Sequence, residues 1–130
     1  MAAWPRERIL VVEDEDKLAR LMKQLLEAFG FEVQTAGSGA EALTYAAQER
    51  PALVTLDLRL PDQDGYAVCR QLRRLYHASI MPVVMVTAMD QPVDQLRGIA
   101  SGADAYLTKP YYSSELIQTI VTLLEQTATT

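Results

Sequence analysis

The 130-residue sequence predicts a single α/β domain built on a five-stranded parallel sheet. Three observations point there. Five short apolar runs recur along the chain, at 9–12, 31–35, 52–56, 82–86 and 105–107, each followed by a stretch of helical character. Strands alternating with helices in this way mark βα units wound into a parallel sheet. The first, third and fourth runs are almost unbroken Ile, Leu, Val and Met, the composition of strands covered by helices on both faces. Hydrophobic residues fill 49% of the positions, enough for a core that folds without metal or disulfide support.

The first run, Ile9 to Val12, is predicted to be a central strand. After it, Leu18, Leu21, Leu25 and Phe29 recur every three or four residues. That spacing predicts a helix with this stripe against the sheet, Lys17, Arg20 and Lys23 lying largely off it, and Gly30 stopping it. The second run alternates Phe31, Val33 and Thr35 with Glu32 and Gln34, which suits a half-exposed strand at the sheet edge. Ser38, followed three residues later by Glu41, forms a capping box for the next helix. The third run is central again. Val68, Cys69, Leu72 and Tyr76 give the stripe of the helix after it, which makes Cys69 a core residue rather than a reactive thiol. The fourth run is central, and the fifth precedes a helix turned inward by Leu116, Ile120, Leu123 and Leu124. Ser113 is its expected N-cap, with Glu115 in the first turn, where the helix dipole favours an anion. Residues 126–130 carry no stripe and are expected to fray, leaving one domain with an ordered core over 7–126.

Composition narrows the function classes. A single cysteine forms no internal disulfide, no leader of charged and then apolar residues opens the chain, and no apolar run approaches the roughly 20 residues that span a bilayer. A reducing cytoplasm is the expected compartment. The net charge of -5 argues against direct wrapping of nucleic acid, so protein or small-molecule partners are expected.

In open parallel sheets, ligands bind outside the carboxyl ends of the strands, so the informative residues are those that follow each apolar run. They are Glu13 and Asp14 after the first, Asp57 after the third, Thr87 and small Ala88 after the fourth, and Thr108, Lys109 and Pro110 after the fifth. Taken singly, Glu13-Asp14 could be a helix N-terminal anion, Asp57 a loop cap, Thr87 an ordinary strand end and Lys109 a surface charge. Their joint placement at corresponding strand ends argues for a site. Carboxylates within about 5 Å of one another cost roughly 3 kcal/mol per pair at an effective dielectric near 20. Protonation of one carboxyl would offset that cost, but a hard divalent cation such as Mg²⁺, using one or two carboxylates and several waters, fits better. Such a metal leaves room for a phosphoryl group, whose oxygens Lys109 and Thr87 can stabilise while Asp57 attacks phosphorus to give an acyl phosphate.

These residues sit in motifs that resemble the response regulator receiver domain over nearly the whole chain. ILVVEDE at 9–15 resembles the family's first strand and acidic pocket, and DLRLPDQDG at 57–65 its phosphoacceptor strand end and loop. VTA at 86–88 and GADAYLTKPY at 102–111 complete the set. The resemblance implies a flavodoxin-like three-layer fold with strand order 2-1-3-4-5. It implies Mg²⁺ held by Asp14, Asp57 and the main-chain carbonyl of Arg59, with Glu13 acting mainly through a water, and a cis Lys109-Pro110 bond. It further implies Thr87 moving toward the phosphoryl oxygens and Tyr106 turning inward, remodelling the face made by the fourth helix, fifth strand and fifth helix, a two-state switch biased by one covalent charge. The alternative for Tyr106 is a half-buried strand tyrosine with no switching role. Arg59 and Met89 would border the path of attacking water and tune the phosphate's lifetime.

The implied partners are a histidine kinase or histidine phosphotransfer protein docking near the first helix, with small acyl phosphates as substitutes, and an effector domain or protein downstream. The domain would be a signalling switch that catalyses its own gain and loss of phosphate. Two departures stand out. Glu13 occupies a position where aspartate is more usual, one methylene longer. Ala105 and Thr119 stand where members that dimerise through an ion-pair network carry an acid and an arginine, so that mode is not expected, and a weak homodimer by another surface stays open.

Three rival readings are weaker. Gly37-Ser38-Gly39-Ala40-Glu41-Ala42 satisfies a loose dinucleotide fingerprint, with Asp57 about twenty residues on, but the preceding strand alternates like an edge strand. A phosphatase with an aspartyl nucleophile generally needs a second aspartate where Arg59 stands. A receiver that only docks and is never phosphorylated would be expected to lack one of these groups, and none is missing. His77, the one histidine, is expected on a surface loop.

Overall fold

The computed structural model describes residues 7–128. Five βα units follow one another: β1 (Arg8–Val12), α1 (Asp16–Ala28), β2 (Glu32–Ala36), α2 (Gly39–Gln48), β3 (Leu53–Leu56), α3 (Gly65–Leu75), β4 (Val83–Thr87), α4 (Pro92–Ser101), β5 (Ala105–Thr108) and α5 (Ser113–Ala128). All pairings are parallel and the order is β2-β1-β3-β4-β5, the flavodoxin-like arrangement. The three nearly unbroken apolar runs are therefore central and the alternating run lies at an edge, as their composition predicts.

Side chains alternate between the two sheet faces and divide the core into two layers. Ile9 and Val11 join Leu53, Val84, Val86 and Leu107 beneath α1 and α5, whose Met22, Leu26, Leu116, Ile120 and Leu124 close the layer. Leu10 and Val12 join Val54, Leu56, Val83 and Met85 on the other face, covered by Ala42 and Ala46 of α2 and by Val68, Cys69 and Leu72 of α3. α4 packs on α3 and β5. Among the described residues no helix is long and apolar enough to cross a membrane.

The expected α1 stripe needs correction. The face turned to the sheet is Ala19, Met22 and Leu26, one position round from Leu18, Leu21, Leu25 and Phe29. Leu21 and Phe29 are 56% and 51% exposed. Two stripes of the same spacing run side by side, and the sheet takes the one whose small Ala19 permits close approach. Gly30, at φ 94°, ends the helix as predicted, its N–H donating to Glu27 O. At the other end of the chain Ser113 is the first helical residue rather than the cap, with the N–H groups of Glu115 and Leu116 donating to Tyr112 O. α5 runs on to Ala128, two residues past the expected core, and Thr127 Oγ1 bonds back to Leu124 O at 2.8 Å. Residues 129–130 lie outside the described residues.

The start of α2 closes the dinucleotide reading. Ser38 Oγ accepts from Glu41 N–H at 3.1 Å, and Glu41 Oε1 accepts from Gly37 N–H at 2.8 Å. The remaining N-terminal donors, Gly39 and Ala40 N–H, go to the two carboxylate oxygens of Asp62, both at 2.9 Å. An anion from the loop after β3 thus fills the place a pyrophosphate would take. These two backbone N–H groups hold the Asp62 carboxyl below its ordinary value of 3.8. A carboxyl depressed in the folded state adds stability above its unfolded pKa and loses it as pH falls through the folded value. Asp62→Ala is therefore expected to lower the urea midpoint at pH 7, and the gap from wild type should narrow once the pH drops below 3.8.

Candidate functional site

The parallel strands deliver Glu13 and Asp14, Asp57, Thr87, and Thr108 and Lys109 to one edge of the sheet. Main-chain bonds fix each exit. Glu13 N–H donates to Ala36 O at 2.9 Å, Asp57 N–H to Val12 O at 3.0 Å and Lys109 N–H to Thr87 O at 2.7 Å. Gly65 lets α3 begin directly against Asp57, for a Cβ there would stand 2.6 Å from both Asp57 O and Leu58 Cα. Asp64 caps that helix, its carboxylate accepting from Ala67 N–H at 2.8 Å.

Lys109 Nζ lies 2.6 Å from Glu13 Oε1 and 2.8 Å from Asp57 Oδ2. The other oxygens are also satisfied: Arg59 N–H donates to Asp57 Oδ1 at 3.1 Å, and Glu15 N–H to Glu13 Oε2 at 3.2 Å. Both acids are buried, at 6% and 8% exposure, so these partners are what keep charged carboxylates tolerable there. Burial pushes the Glu13 carboxyl up in spite of its bond to Lys109. Burial alone would pull the Lys109 ammonium down, but its hydrogen bonds to Asp57 and Glu13 outweigh that and raise it. The lysine is a fixed positive charge at neutral pH. The Lys109-Pro110 bond is cis.

Asp14, Asp57, Glu13, Arg59, Ala88 and Lys109 share one cavity of about 310 Å³. Asp14 is exposed, and its carboxylate makes no hydrogen bond or ion pair among the described residues. Also among these residues, no three His, Cys, Asp or Glu side chains converge as a ready-made metal cage. The hard oxygen donors at the site, the carboxylates of Asp14 and Asp57, fit a cation such as Mg²⁺, which takes one or two carboxylates and keeps several waters, rather than a softer metal.

The sequence also matches the family model of the response regulator receiver domain over residues 9–121. This chain is a member of that family. It is 42% identical to a probable transcriptional regulator of Cyanophora paradoxa, over 94% of this chain and 50% of the relative. It is 45% identical to the DNA-binding response regulator MtrA of Mycolicibacterium smegmatis, over 86% of this chain and 48% of the relative. The chain thus spans about half the length of the curated relatives it matches. Among solved structures, a CheY-like receiver domain protein from Methanospirillum hungatei superposes with a TM-score of 0.90 at 30% identity, covering 95% of this chain and 98% of that one. This chain is a response regulator receiver domain of the two-component kind.

Within the receiver domain, Thr87 is fully buried and its hydroxyl accepts from Met89 N–H at 3.4 Å, with no bond to Asp57. Tyr106 is half-buried, its ring against Gly98 and its hydroxyl donating to Met89 O at 2.8 Å. Arg59 is exposed and Met89 half-buried at the site's margin, while His77 lies exposed on the loop before β4, its Nδ1 taking Ser79 N–H at 3.0 Å. Asp104, inside the GAD motif, serves the opposite end of the sheet, where it accepts from Val83 N–H at 2.8 Å and pairs with Arg73 at 2.6 Å. Sequence reasoning passed over Asp62, Tyr66, Asp94 and Arg97. Asp62 and Tyr66 bond to groups 22 to 28 residues away and Arg97 covers a ring on another helix, where local spacing carries no signal, whereas Asp94 also caps its own helix from three residues away.

Proposed function

We propose that this receiver domain accepts a phosphoryl group on Asp57 and thereby switches the face formed by α4, β5 and α5. The observation that carries the reading is Lys109 Nζ held between Glu13 and Asp57 at the carboxyl edge of the sheet. Asp14, Asp57 and the Arg59 carbonyl would hold Mg²⁺, with Glu13 acting through a water, and receivers of this family generally bind that ion. When bound it neutralises charge on the transferring phosphoryl oxygens. Asp57 Oδ attacks phosphorus in line with the P–N bond of a phosphohistidine, and the departing ring nitrogen keeps the electron pair of the broken bond. Lys109 stabilises the equatorial oxygens from a preorganised position, and Thr87 donates its hydroxyl once it turns from Met89. Small, exposed Ala88 leaves the approach open.

The donor's docking place is supported by the stripe that α1 leaves off the sheet. Leu18, Leu21 and Leu25 face Pro110 and Tyr111 across a groove of about 620 Å³ that opens beside Lys109 and Glu13. An apolar helix face of a histidine kinase or histidine phosphotransfer protein fits such a groove and would bring its phosphohistidine to Asp57. The curated relatives, about twice as long and named as a probable transcriptional regulator and a DNA-binding response regulator, support an effector domain or protein as the recipient of the signal.

Intact mass after incubation with acetyl phosphate and Mg²⁺ tests the reading. One phosphoryl adduct is expected on the wild type, and none on Asp57→Asn or in the presence of chelator. An adduct that survives either change would overturn it.

A further inference from the structure

The family resemblance implies a link from Asp57 to the switching face through Thr87 and Tyr106. A second connection runs on the other side of the site. α3 begins directly on the phosphoacceptor strand end: Gly65 N–H donates to Leu58 O at 2.9 Å, and its missing Cβ leaves room for Asp57 O. The next residue, Tyr66, is 3% exposed and reaches across to α4, its hydroxyl donating to Asp94 O at 3.0 Å. Asp94 is itself a cornerstone of the α4 start, since its carboxylate accepts from Gln91 N–H at 3.1 Å in a capping box. One turn on, the Arg97 guanidinium lies over the Tyr66 ring at 4.3 Å from its centroid. Tyr106 grips the same segment from the β5 side, through Met89 O and the bare face of Gly98.

The first turns of α4 are therefore held by two tyrosines on two different elements. Burial raises the hydroxyl pKa of each, so both stay protonated donors at any physiological pH, and each lies close enough to perturb the other. The buried face of α4 is small: Val93, Leu96 and Ile99 are 58%, 67% and 58% exposed, and its buried residues are Gly98 and Ser101. A helix with so small a buried face takes its position from a few directional contacts.

We infer that Tyr66 is a positioning residue that carries the state of Asp57 to α4 through the α3 start, in parallel with Thr87 and Tyr106. The proposal rests on Asp57 being the phosphoacceptor. A shift of the Asp57 main chain has no slack to absorb it at Gly65, moves Tyr66 with the helix start, and strains or relieves the bond to Asp94 O. The outcome is a change in how firmly the α4 start is held, on the surface that carries its exposed apolar residues.

Tyr66→Phe removes one oxygen and keeps the ring under Arg97. The measurement is hydrogen exchange of the amides of residues 92–98 in the full chain, with Mg²⁺ alone and with Mg²⁺ plus beryllofluoride as the phosphoryl mimic. In the wild type the mimic changes exchange in this segment. In Tyr66→Phe the change is expected to shrink by about threefold to tenfold, the range set by one net hydrogen bond, while intact mass still shows phosphorylation by acetyl phosphate. A merely structural tyrosine would raise exchange equally with and without the mimic and leave their ratio untouched. That result, with a normally phosphorylated wild type, overturns the coupling alone. A wild type that takes no phosphoryl group overturns the phosphoacceptor reading and the coupling with it.

Discussion

Lys109→Ala lowers the rate of phosphoryl gain at Asp57 by about a hundredfold to a thousandfold, the loss typical of removing one preorganised donor from a transition-state oxyanion. The ammonium is already in place, bonded to both acids, so it needs no reorganisation as charge develops on the phosphoryl oxygens. Lys109→Arg does not restore the rate, because a planar guanidinium cannot sit as a point donor between two carboxylates whose other oxygens are engaged by Arg59 and Glu15 N–H. The time course of the intact-mass adduct with acetyl phosphate gives both rates. A Lys109→Ala rate within threefold of wild type would show that the lysine merely balances charge in the resting site.

Gly65→Ala destabilises the domain by about 1–3 kcal/mol, the usual cost of forcing a methyl into a filled interior. The two nearest atoms it meets are main chain, Asp57 O and Leu58 Cα at 2.6 Å, and main chain cannot rotate away as a flexible side chain can. A thermal midpoint lower by several degrees is expected for a domain of this size, together with slower phosphorylation, since the displaced backbone carries the nucleophile. Gly37→Ala is the matched control. Nothing lies within 4 Å of its Cβ position, so its midpoint should stay close to wild type. Equal midpoints for the two variants would mean that the α3 start yields freely and that Asp57 is not held by it.

Much of this was legible in the sequence, for reasons that differ by residue. Ile9 to Val12, and Leu53 to Leu56 but for the buried Thr55, are apolar on both faces because helices cover both, so burial itself writes the pattern that locates them. The site follows from topology: parallel strands must end on one edge, and the residues just past their ends meet there whatever the loops do. The inward face of α1 was not legible, because periodicity fixes the angle between apolar residues and not which stripe meets the sheet. Leu18, Leu21 and Leu25 satisfy the spacing as well as Ala19, Met22 and Leu26 do. Leu21 is left exposed while Leu18 and Leu25 are half-buried, and all three line the groove beside Lys109. Asp62 and Tyr66 were invisible for another reason. Each acts on a backbone group of a different element, Gly39 and Ala40 N–H or Asp94 O, and any residue type would supply those groups.

The central claim is that Asp57 forms the acyl phosphate. Borohydride reduction of the phosphorylated chain tests it most directly, because it converts only an aspartyl phosphate to homoserine and leaves a free carboxylate unchanged. Peptide mass spectrometry is expected to find homoserine at position 57 in the phosphorylated sample alone, with Glu13 and Asp14 intact. Phosphate mapped to either of those acids, or to a serine, threonine or histidine, would contradict the account.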